Sequence, residues 1–283
     1  MQKLLWNNVC LLTRLEEAYI DETLPTIDTS YFGLGRPLNL KKYLQNNDTW
    51  QVLVSTDTEI FHDPCVLKKQ LITLKKPSLA MNFNNAIDQH TFFKPFIAIP
   101  LVIVINTKKT HLRPKSFKEL CSSQYKDLVT YGGPDNSAGK SLLKAIWSMY
   151  GMDDVKSFIN NSFAASMPAA AFKLATSGDY PIAIVPTIFS NRAGINDIIQ
   201  VVPQEGAIAI PSFYAVHQSC DIETETYIYD QLIANERFHE LLVSRGSISS
   251  PLIKDSQCPL YYPPKSFFDS LDYDKFETLL KSQ

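Results

Sequence analysis

The sequence predicts an α/β fold of two lobes, each a mostly parallel sheet flanked by helices, and three observations support this. Short apolar runs alternate with helical patterns along most of the chain, as they do in parallel sheets covered by helices. The length of 283 residues suits two hydrophobic cores better than one. Residues 96–106 form the most apolar run, and its β-branched residues indicate a strand buried on both faces.

In the first third of the chain, periodicity predicts strands at residues 4–10 and 51–54 and helices at residues 12–22, 39–46 and 64–74. Pro25 ends the first helix because proline cannot continue the hydrogen-bond ladder. Pro64 suits the first turn of the third helix. The strand at residues 51–54 runs directly into three small polar residues, Ser55, Thr56 and Asp57.

In the middle of the chain, the same patterns predict strands at residues 96–106, 128–131, 180–186, 198–202 and 206–217 and helices at residues 140–150 and 165–176. Ser116 and Glu119 have the spacing of a capping box, which starts a further short helix. Pro100 has no N–H, so a bend or an edge is expected there. Gly178 is placed to end the helix before it.

The last part of the chain reads as helices at residues 222–234, 237–244 and 267–280. Asn235 is expected to cap the second of these helices, and Gly246 to close it. A turn at Pro263 and Pro264 precedes the final helix.

Composition excludes several classes of protein. The 27 Lys and Arg residues nearly balance the 29 Asp and Glu residues, whereas a nucleic-acid-binding protein shows a basic excess or stripe. The five cysteines contain no Cys-x-x-Cys pair, and no two of the five histidines share a helical turn. Zinc ribbons and two-histidine metal motifs are therefore not expected. We expect no metal, no other cofactor and no nucleic-acid partner.

The N-terminus is a poor signal peptide. A single basic residue, Lys3, precedes an apolar run that Asn7 and Asn8 interrupt. No run reaches the roughly 18 apolar residues of a membrane span. The chain is therefore expected to be cytoplasmic if Met1 is its native start, unless a targeting segment has been left out.

Residues 133–141 approach the pattern of a nucleotide-binding phosphate loop. That loop needs Gly, four residues, then Gly-Lys-Ser/Thr, but Pro134 occupies the position of its first glycine. A more general interpretation remains: a turn before a helix leaves backbone N–H groups at the positive end of the helix dipole. Asn136, Ser137 and Ala138 can therefore hold an anion or a carboxylate, or form an ordinary helix cap.

Six segments follow one another in a fixed order, at residues 96–106, 114–120, 125–129, 136–139, 180–186 and 202–208. Together they resemble the solute-binding proteins of bacterial ABC transporters. The ordered set is similar to the type II periplasmic-binding fold, in its iron, polyamine and phosphonate branch.

This resemblance implies two α/β lobes joined by two crossover hinge strands, with a small ligand captured in the cleft by hinge closure. It also implies an ABC permease as partner and a place in the cell envelope. The crossovers would fall near residues 101–106 and 201–208. Lobe one would comprise residues 1–102 and 204–283, and lobe two residues 103–203. We expect a monomer without catalytic activity.

The resemblance suggests where ligand would bind, and each candidate has a structural alternative. Ser55, Thr56 and Asp57 follow a lobe-one strand, and Asn136, Ser137 and Ala138 precede a lobe-two helix. The remaining candidates are Pro186, Thr187 and Glu205, with Asn82, Asn84 and Phe189 as weaker ones. Helix capping, turn formation or core packing are the alternative roles.

Iron held by adjacent tyrosines, as in ferric-binding members of the resembled family, is not expected, because residues 186–190 contain no tyrosine. Tyr261 and Tyr262 lie far downstream and are expected to pack in the interior. Two other functions stay open. One is a cytoplasmic ligand sensor on the same fold, and the other is a nucleotide-binding enzyme that uses residues 133–141.

Overall fold

A computed structural model describes residues 3–7, 12–33, 39–63, 71, 87, 90–192, 197–256 and 258–281. The chain forms two compact units. Unit 1 comprises Met1–Ile99 and Pro211–Gln257, and unit 2 comprises Pro100–Ile210 and Cys258–Gln283. The expected lobes placed residues 258–283 in lobe one, whereas the structure places this segment in unit 2. The reason is aromatic packing: Trp147 contacts Phe267 and Phe276 with ring centroids 5.9 and 6.2 Å apart.

The elements of unit 1 alternate between strands and helices. They are β1 (Lys3–Asn7), α1 (Thr13–Thr23), β2 (Asp28–Tyr31), α2 (Leu40–Asn46), β3 (Val52–Ser55), α3 (Thr58–His62), the first part of β4 (Phe93–Asn106), the last part of β9 (Ala207–Val216), α9 (Ile222–Ile228), a π-helix (Tyr229–Ile233), α10 (Glu236–Gly246) and a short 3₁₀ helix (Lys254–Ser256).

The sheet of unit 1 has the strand order β2-β1-β3-β9. Strands β1, β2 and β3 are parallel, and β9 runs antiparallel to β3. Trp6 of β1 packs against two aromatic rings. Its ring centroid lies 6.0 Å from that of Phe96 and 5.9 Å from that of Phe238. Trp6 donates from Nε1 to buried Glu16 over 3.2 Å, so the polar atom of this core residue is satisfied.

The elements of unit 2 follow the same alternation. They are the rest of β4, α4 (Phe117–Leu120), a 3₁₀ helix (Ser123–Tyr125), β5 (Val129–Gly132), α5 (Ser137–Tyr150), α6 (Met152–Asn161), β6 (Ser162–Ala165), α7 (Pro168–Ser177), β7 (Ile182–Pro186), α8 (Thr187–Arg192), β8 (Ile198–Val201), the start of β9, β10 (Leu260–Tyr261), α11 (Lys265–Ser270) and α12 (Tyr273–Lys281).

The sheet of unit 2 has the order β8-β4-β7-β5-β6. Strands β5, β6 and β7 are parallel, while β4 runs antiparallel to β7 and β8. Strand β10 adds to the start of β9, where Leu260 pairs with Ala207. Every residue of β7 is buried, as expected for a strand covered on both faces. The predicted α/β class, with parallel strands flanked by helices, is confirmed.

Two long strands, β4 and β9, run from one unit into the other. The division falls between Ile99 and Pro100 in β4 and between Ile210 and Pro211 in β9. Each crossing therefore has a proline on its unit boundary, where the strand lacks one ladder donor. The bend or edge expected at Pro100 does not interrupt β4, which is continuous over 14 residues.

Several local predictions need correction. Residues 152–164 were not assigned, yet they lie in α6 and β6. Strand β6 also includes Ala165, so the helix predicted at 165–176 begins only at Pro168. The predicted helix at 222–234 is α9 followed by a π-helix. The predicted helix at 267–280 is two helices, α11 and α12.

The end of α10 also differs from its prediction. The left-handed residue is Ser247, with φ of 52°, and not Gly246. Gly246 is required because a larger residue would not fit there: a Cβ at this position would lie 2.9 Å from side-chain atoms of Leu12 and Ile248. The helix predicted at residues 64–74 lies outside the described residues except for Leu71. Within the described part of the chain, no helix has the length and apolar character of a membrane span.

Candidate functional site

In unit 2, three helices begin at one edge of the sheet. Strands β5, β6 and β7 are parallel, so their carboxyl ends meet at the same edge. Helix α7 follows β6 after two residues, and α8 follows β7 directly. Helix α5 begins after the loop that leaves β5. Ligands of open α/β sheets bind outside the carboxyl ends of strands, which makes this edge the candidate site of unit 2.

Asn136 is the cap of α5. Its Oδ1 accepts from the backbone N–H of Gly139 over 3.1 Å, and its Nδ2 donates to the carbonyl of Gly133 over 2.8 Å. Among the hydrogen bonds described, none uses the backbone N–H of Ser137 or Ala138. The cap interpretation of Asn136 is thus correct, and two N–H groups of the first turn remain available at the positive end of the helix.

Several backbone N–H groups of the loop before α5 are used in hydrogen bonds to neighbouring backbone or side-chain atoms of unit 2. The N–H of Gly133 donates to Ala165 over 2.7 Å, and the N–H of Lys140 donates to Asn136 over 3.1 Å. Gly139 packs against backbone, since a Cβ there would lie 2.1 Å from the oxygen of Gly133. A nucleotide phosphate loop needs such N–H groups to face the phosphates, so the geometry does not favour that hypothesis.

Helix α7 adds a second N-terminus to the same edge. Its cap residue, Met167, is 37% exposed and makes no side-chain cap hydrogen bond. Pro168 occupies the first helical position, where its missing N–H costs nothing. No described hydrogen bond uses the N–H of Ala169. Sequence reasoning missed this feature because it did not identify β6.

Pro186 and Thr187 lie at the junction of β7 and α8, at this edge. Thr187 is 7% exposed, and its carbonyl accepts from the hydroxyl of Ser190 over 2.9 Å. Phe189 packs against Phe172, with ring centroids 5.8 Å apart, in agreement with the core-packing alternative.

In unit 1, the predicted residues lie at the carboxyl end of β3. Ser55 and Thr56 are buried, and their neighbour across the sheet is Asn7, at the end of β1. Asn7 donates from Nδ2 to Ser55 Oγ over 2.9 Å, and its carbonyl accepts from the N–H of Thr56 over 3.0 Å. Sequence reasoning missed Asn7, although it also follows an apolar strand.

Asp57 caps the short helix α3. Its Oδ1 accepts from the N–H of Glu59 over 3.2 Å, and its own N–H donates to Ser55 Oγ over 2.9 Å. The capping alternative is therefore satisfied at this position too. The carboxyl edge of unit 1 thus carries a hydrogen-bonded polar cluster of Asn7, Ser55, Thr56 and Asp57.

Glu205 does not lie with the other predicted residues of unit 2. It accepts a hydrogen bond from the hydroxyl of Tyr150, at the C-terminal end of α5, which is about 20 Å long. Burial raises the pKa of Tyr150, and the adjacent Glu205 carboxylate raises it further. The Glu205 Oε2 atom is buried and has no hydrogen-bond partner among the described residues. This contact agrees with the alternative that Glu205 shapes the turn before β9.

Two further candidates, Tyr261 and Tyr262, have packing roles. Tyr262 is buried against Phe268 at 5.3 Å, and Tyr261 donates to Ser148 over 2.8 Å, so both pack as expected. Asn82 and Asn84 lie outside the described residues. In the described part of the chain, no group of three or more His, Cys, Asp and Glu side chains is arranged to hold a metal ion.

Comparison with known proteins adds a family assignment. The sequence model of a family described as bacterial extracellular solute-binding protein matches residues 52–277. Among curated proteins, none matches the sequence.

Solved structures resemble the chain over nearly its whole length. A ferric binding protein from Campylobacter jejuni has a TM-score of 0.76 at 11% identity, and covers 100% of this chain and 98% of its own. The Trichodesmium protein IdiA (FutA), in complex with iron and citrate, has a TM-score of 0.74 at 12% identity, with 99% and 98% covered. A two-component system protein described as mediating signal transduction has a TM-score of 0.72 at 16% identity, with 99% of each chain covered. At these identities the likeness establishes the fold.

Proposed function

The chain belongs to the bacterial extracellular solute-binding protein family, and from this premise we propose that it captures one small ligand between its two units. The family resemblance that the ordered sequence segments indicated is confirmed. We propose that binding draws the units together around the ligand and that the loaded form is handed to an ABC permease in the cell envelope. In this proposal the protein binds its ligand without chemical change.

The observation that carries this proposal is that each unit has a polar turn at the carboxyl end of its parallel strands. In unit 1 it is the cluster of Asn7, Ser55, Thr56 and Asp57, and in unit 2 it is the first turn of α5. A ligand that contacts both turns binds a closed form more tightly than an open one, and this difference in affinity drives closure. The crossing strands β4 and β9 supply a hinge whose prolines lack ladder donors.

We further propose that the ligand carries an anionic group, such as a carboxylate. Available N–H groups at Ser137 and Ala138 lie at the positive end of α5, and Ala169 offers another in α7. Hydrogen bonds to charged groups are worth about 1.5–3 kcal/mol each. Citrate in the Trichodesmium structure is an example of such a ligand on the same fold.

Two alternatives remain, and one observation favours the first. A sensor on the same fold would bind a ligand and report it to a signalling partner, and one structural neighbour is described as mediating signal transduction. A nucleotide-binding enzyme would use residues 133–141, where the N–H groups of Gly133, Gly139 and Lys140 are occupied and Pro134 has none. ATP with magnesium should therefore give no thermal shift, and a saturable shift lost in Lys140→Ala would support the enzyme instead.

Native mass spectrometry of freshly purified protein identifies a co-purifying ligand, which is then titrated calorimetrically. Ser137→Pro is the most informative variant, because proline is favoured at the first helical position and removes the N–H, while its loss of the hydroxyl is shared with Ser137→Ala. Asn136 is already in the extended conformation that precedes proline, with φ of −128° and ψ of 161°. We expect Ser137→Pro to weaken binding about tenfold or more.

Ser137→Ala is the matched control, since it keeps the N–H, and it should bind nearly as tightly as the native protein. Equal affinity of native protein and Ser137→Pro would show that the N–H of Ser137 does not hold the ligand.

A further inference from the structure

Trp50 and His217 bring two buried ring nitrogens together at one edge of the unit 1 sheet. Trp50 precedes β3 and His217 follows β9, and the backbone N–H of His217 donates to the carbonyl of Gln51 over 2.8 Å. Because β3 and β9 are antiparallel, both residues lie at the amino end of β3. Ser55 and its polar cluster lie at the carboxyl end of the same strand. The pair is therefore separate from the turn to which we assign ligand capture.

Both side chains are buried, and their rings are in contact. Trp50 is 0% exposed and His217 is 3% exposed, and their ring centroids lie 4.8 Å apart with the planes inclined at 52°. Neither Trp50 Nε1 nor His217 Nε2 has a hydrogen-bond partner among the described residues. A buried polar group without a hydrogen bond is destabilising, so such groups are nearly always paired with protein or with ordered water.

The two nitrogens cannot satisfy each other, because both are donors. An indole nitrogen only donates. His217 Nδ1 accepts from the backbone N–H of Ser219 over 3.1 Å and lies 2.7 Å from the Ser219 hydroxyl oxygen, so the proton of the neutral ring is on Nε2. Burial lowers the pKa of His217, although the Asp48 carboxylate opposes this shift, and the ring is therefore neutral near pH 7. Two N–H groups thus need an acceptor that the described residues do not supply.

We propose that one water molecule is bound between Trp50 and His217 and accepts a hydrogen bond from each ring. The Asp48 carboxylate acts on His217, so it would repel a bound anion such as chloride. A bound water instead has two O–H groups left to donate, and buried waters make about three hydrogen bonds.

Such a water would tie the segment before β3 to the turn after β9, where the Ser219 hydroxyl already donates to the Trp50 carbonyl over 3.4 Å. The site lies in unit 1 alone, so the inference stands apart from ligand capture.

A high-resolution crystal structure of the native protein tests the site directly. We expect one ordered water within about 3.2 Å of both nitrogens. In solution, NMR cross-relaxation between water and the indole N–H of Trp50 should give a strong cross peak, with the signal assigned by its loss in Trp50→Phe. Trp6 is the matched control, because its buried indole N–H donates to Glu16 over 3.2 Å and should give no such peak.

Two variants separate the shared water from simple burial. His217→Leu removes one of the two donors and should abolish most of the cross peak at Trp50, whereas His217→Gln keeps an N–H donor and should retain it. Circular dichroism checks that each variant folds, and the spectrum of the native protein decides the question if His217→Leu does not.

Three results would overturn the proposal. The first is a carbonyl or side chain of the protein, in place of water, within about 3.2 Å of either nitrogen. The second is an anion at this position, shown by an anomalous peak in crystals soaked with bromide. The third is a cross peak to water at Trp50 no stronger than that at Trp6.

Discussion

Asn7 and Ser55 are joined by a 2.9 Å hydrogen bond from the Asn7 side-chain amide to the Ser55 hydroxyl oxygen. The bond ties the carboxyl ends of the parallel strands β1 and β3, where the two residues are in register. Ser55 also accepts from the N–H of Asp57 over 2.9 Å. One buried hydroxyl oxygen therefore organises the candidate site of unit 1.

Replacing that hydroxyl should be costly. Ser55→Ala leaves the buried amide of Asn7 and the N–H of Asp57 without their acceptor, so we expect the free energy of unfolding to fall by about 1–3 kcal/mol. Urea denaturation measures it, with Ser270→Ala as the control, because Ser270 is exposed on α11. A loss below about 0.5 kcal/mol, equal to that of the control, would refute this role of Ser55.

Gly139 is required because backbone lies against it. A Cβ at this position would lie 2.1 Å from the oxygen of Gly133 and 2.3 Å from that of Gly132, and neither atom can move without displacing the loop. We expect Gly139→Ala to lower the free energy of unfolding by about 3 kcal/mol or more. Gly246→Ala should cost less, because its neighbours there are side-chain ends of Leu12 and Ile248. Equal losses for the two variants would contradict this view of the loop.

Tyr150 stabilises the turn before β9 through Glu205. Tyr150→Phe removes the donor to a carboxylate whose other oxygen already has no hydrogen-bond partner among the described residues. We expect a loss of about 1–3 kcal/mol in the free energy of unfolding. A double-mutant cycle with Glu205→Gln should give a coupling energy above about 0.5 kcal/mol. Additive losses would show that the contact contributes nothing.

His239 makes stability depend on pH. It is fully buried between Ser250, at 2.6 Å from Nδ1, and the carbonyl of Ile233, at 2.8 Å from Nε2. Burial lowers the pKa of His239 to about 4, partly opposed by its hydrogen bond to Ile233. Below the unfolded pKa of about 6.5, the unfolded chain binds a proton that the folded chain does not. Stability should therefore fall between about pH 6.5 and pH 4.

The size of this loss follows from the pKa difference and is about 3 kcal/mol. Urea midpoints measured across that range check it. His239→Gln should flatten the dependence, whereas the same change at exposed His111 should leave it unchanged. An equally steep fall in His239→Gln would assign the effect to other groups.

Capping signals made parts of the site predictable from sequence. Asn136 and Asn235 cap their helices as expected, and Ser116 accepts from the N–H of Glu119 as the capping box requires. These contacts span three residues, so local sequence determines them. The polar end of β3 was found because the change from apolar to polar residues is abrupt.

Tertiary pairing decided what the sequence did not reveal. Ala164 and Ala165 favour a helix by propensity, yet they form β6 because they pair with Tyr131 and Gly132 of β5. Without β6, the N-terminus of α7 could not be placed at the site. Asn7 was missed because its partner, Ser55, is 48 residues away in the chain. The π-helix after α9 likewise has no signal in local periodicity.

The central claim, capture of one small ligand with closure of the two units, is tested most directly by small-angle X-ray scattering. The protein is measured free and saturated with the ligand that native mass spectrometry identifies. A single compact body of this length has a radius of gyration of about 19 Å, and the account predicts that ligand moves the measured value toward it. A tightly bound ligand that leaves the radius of gyration unchanged would contradict capture by closure.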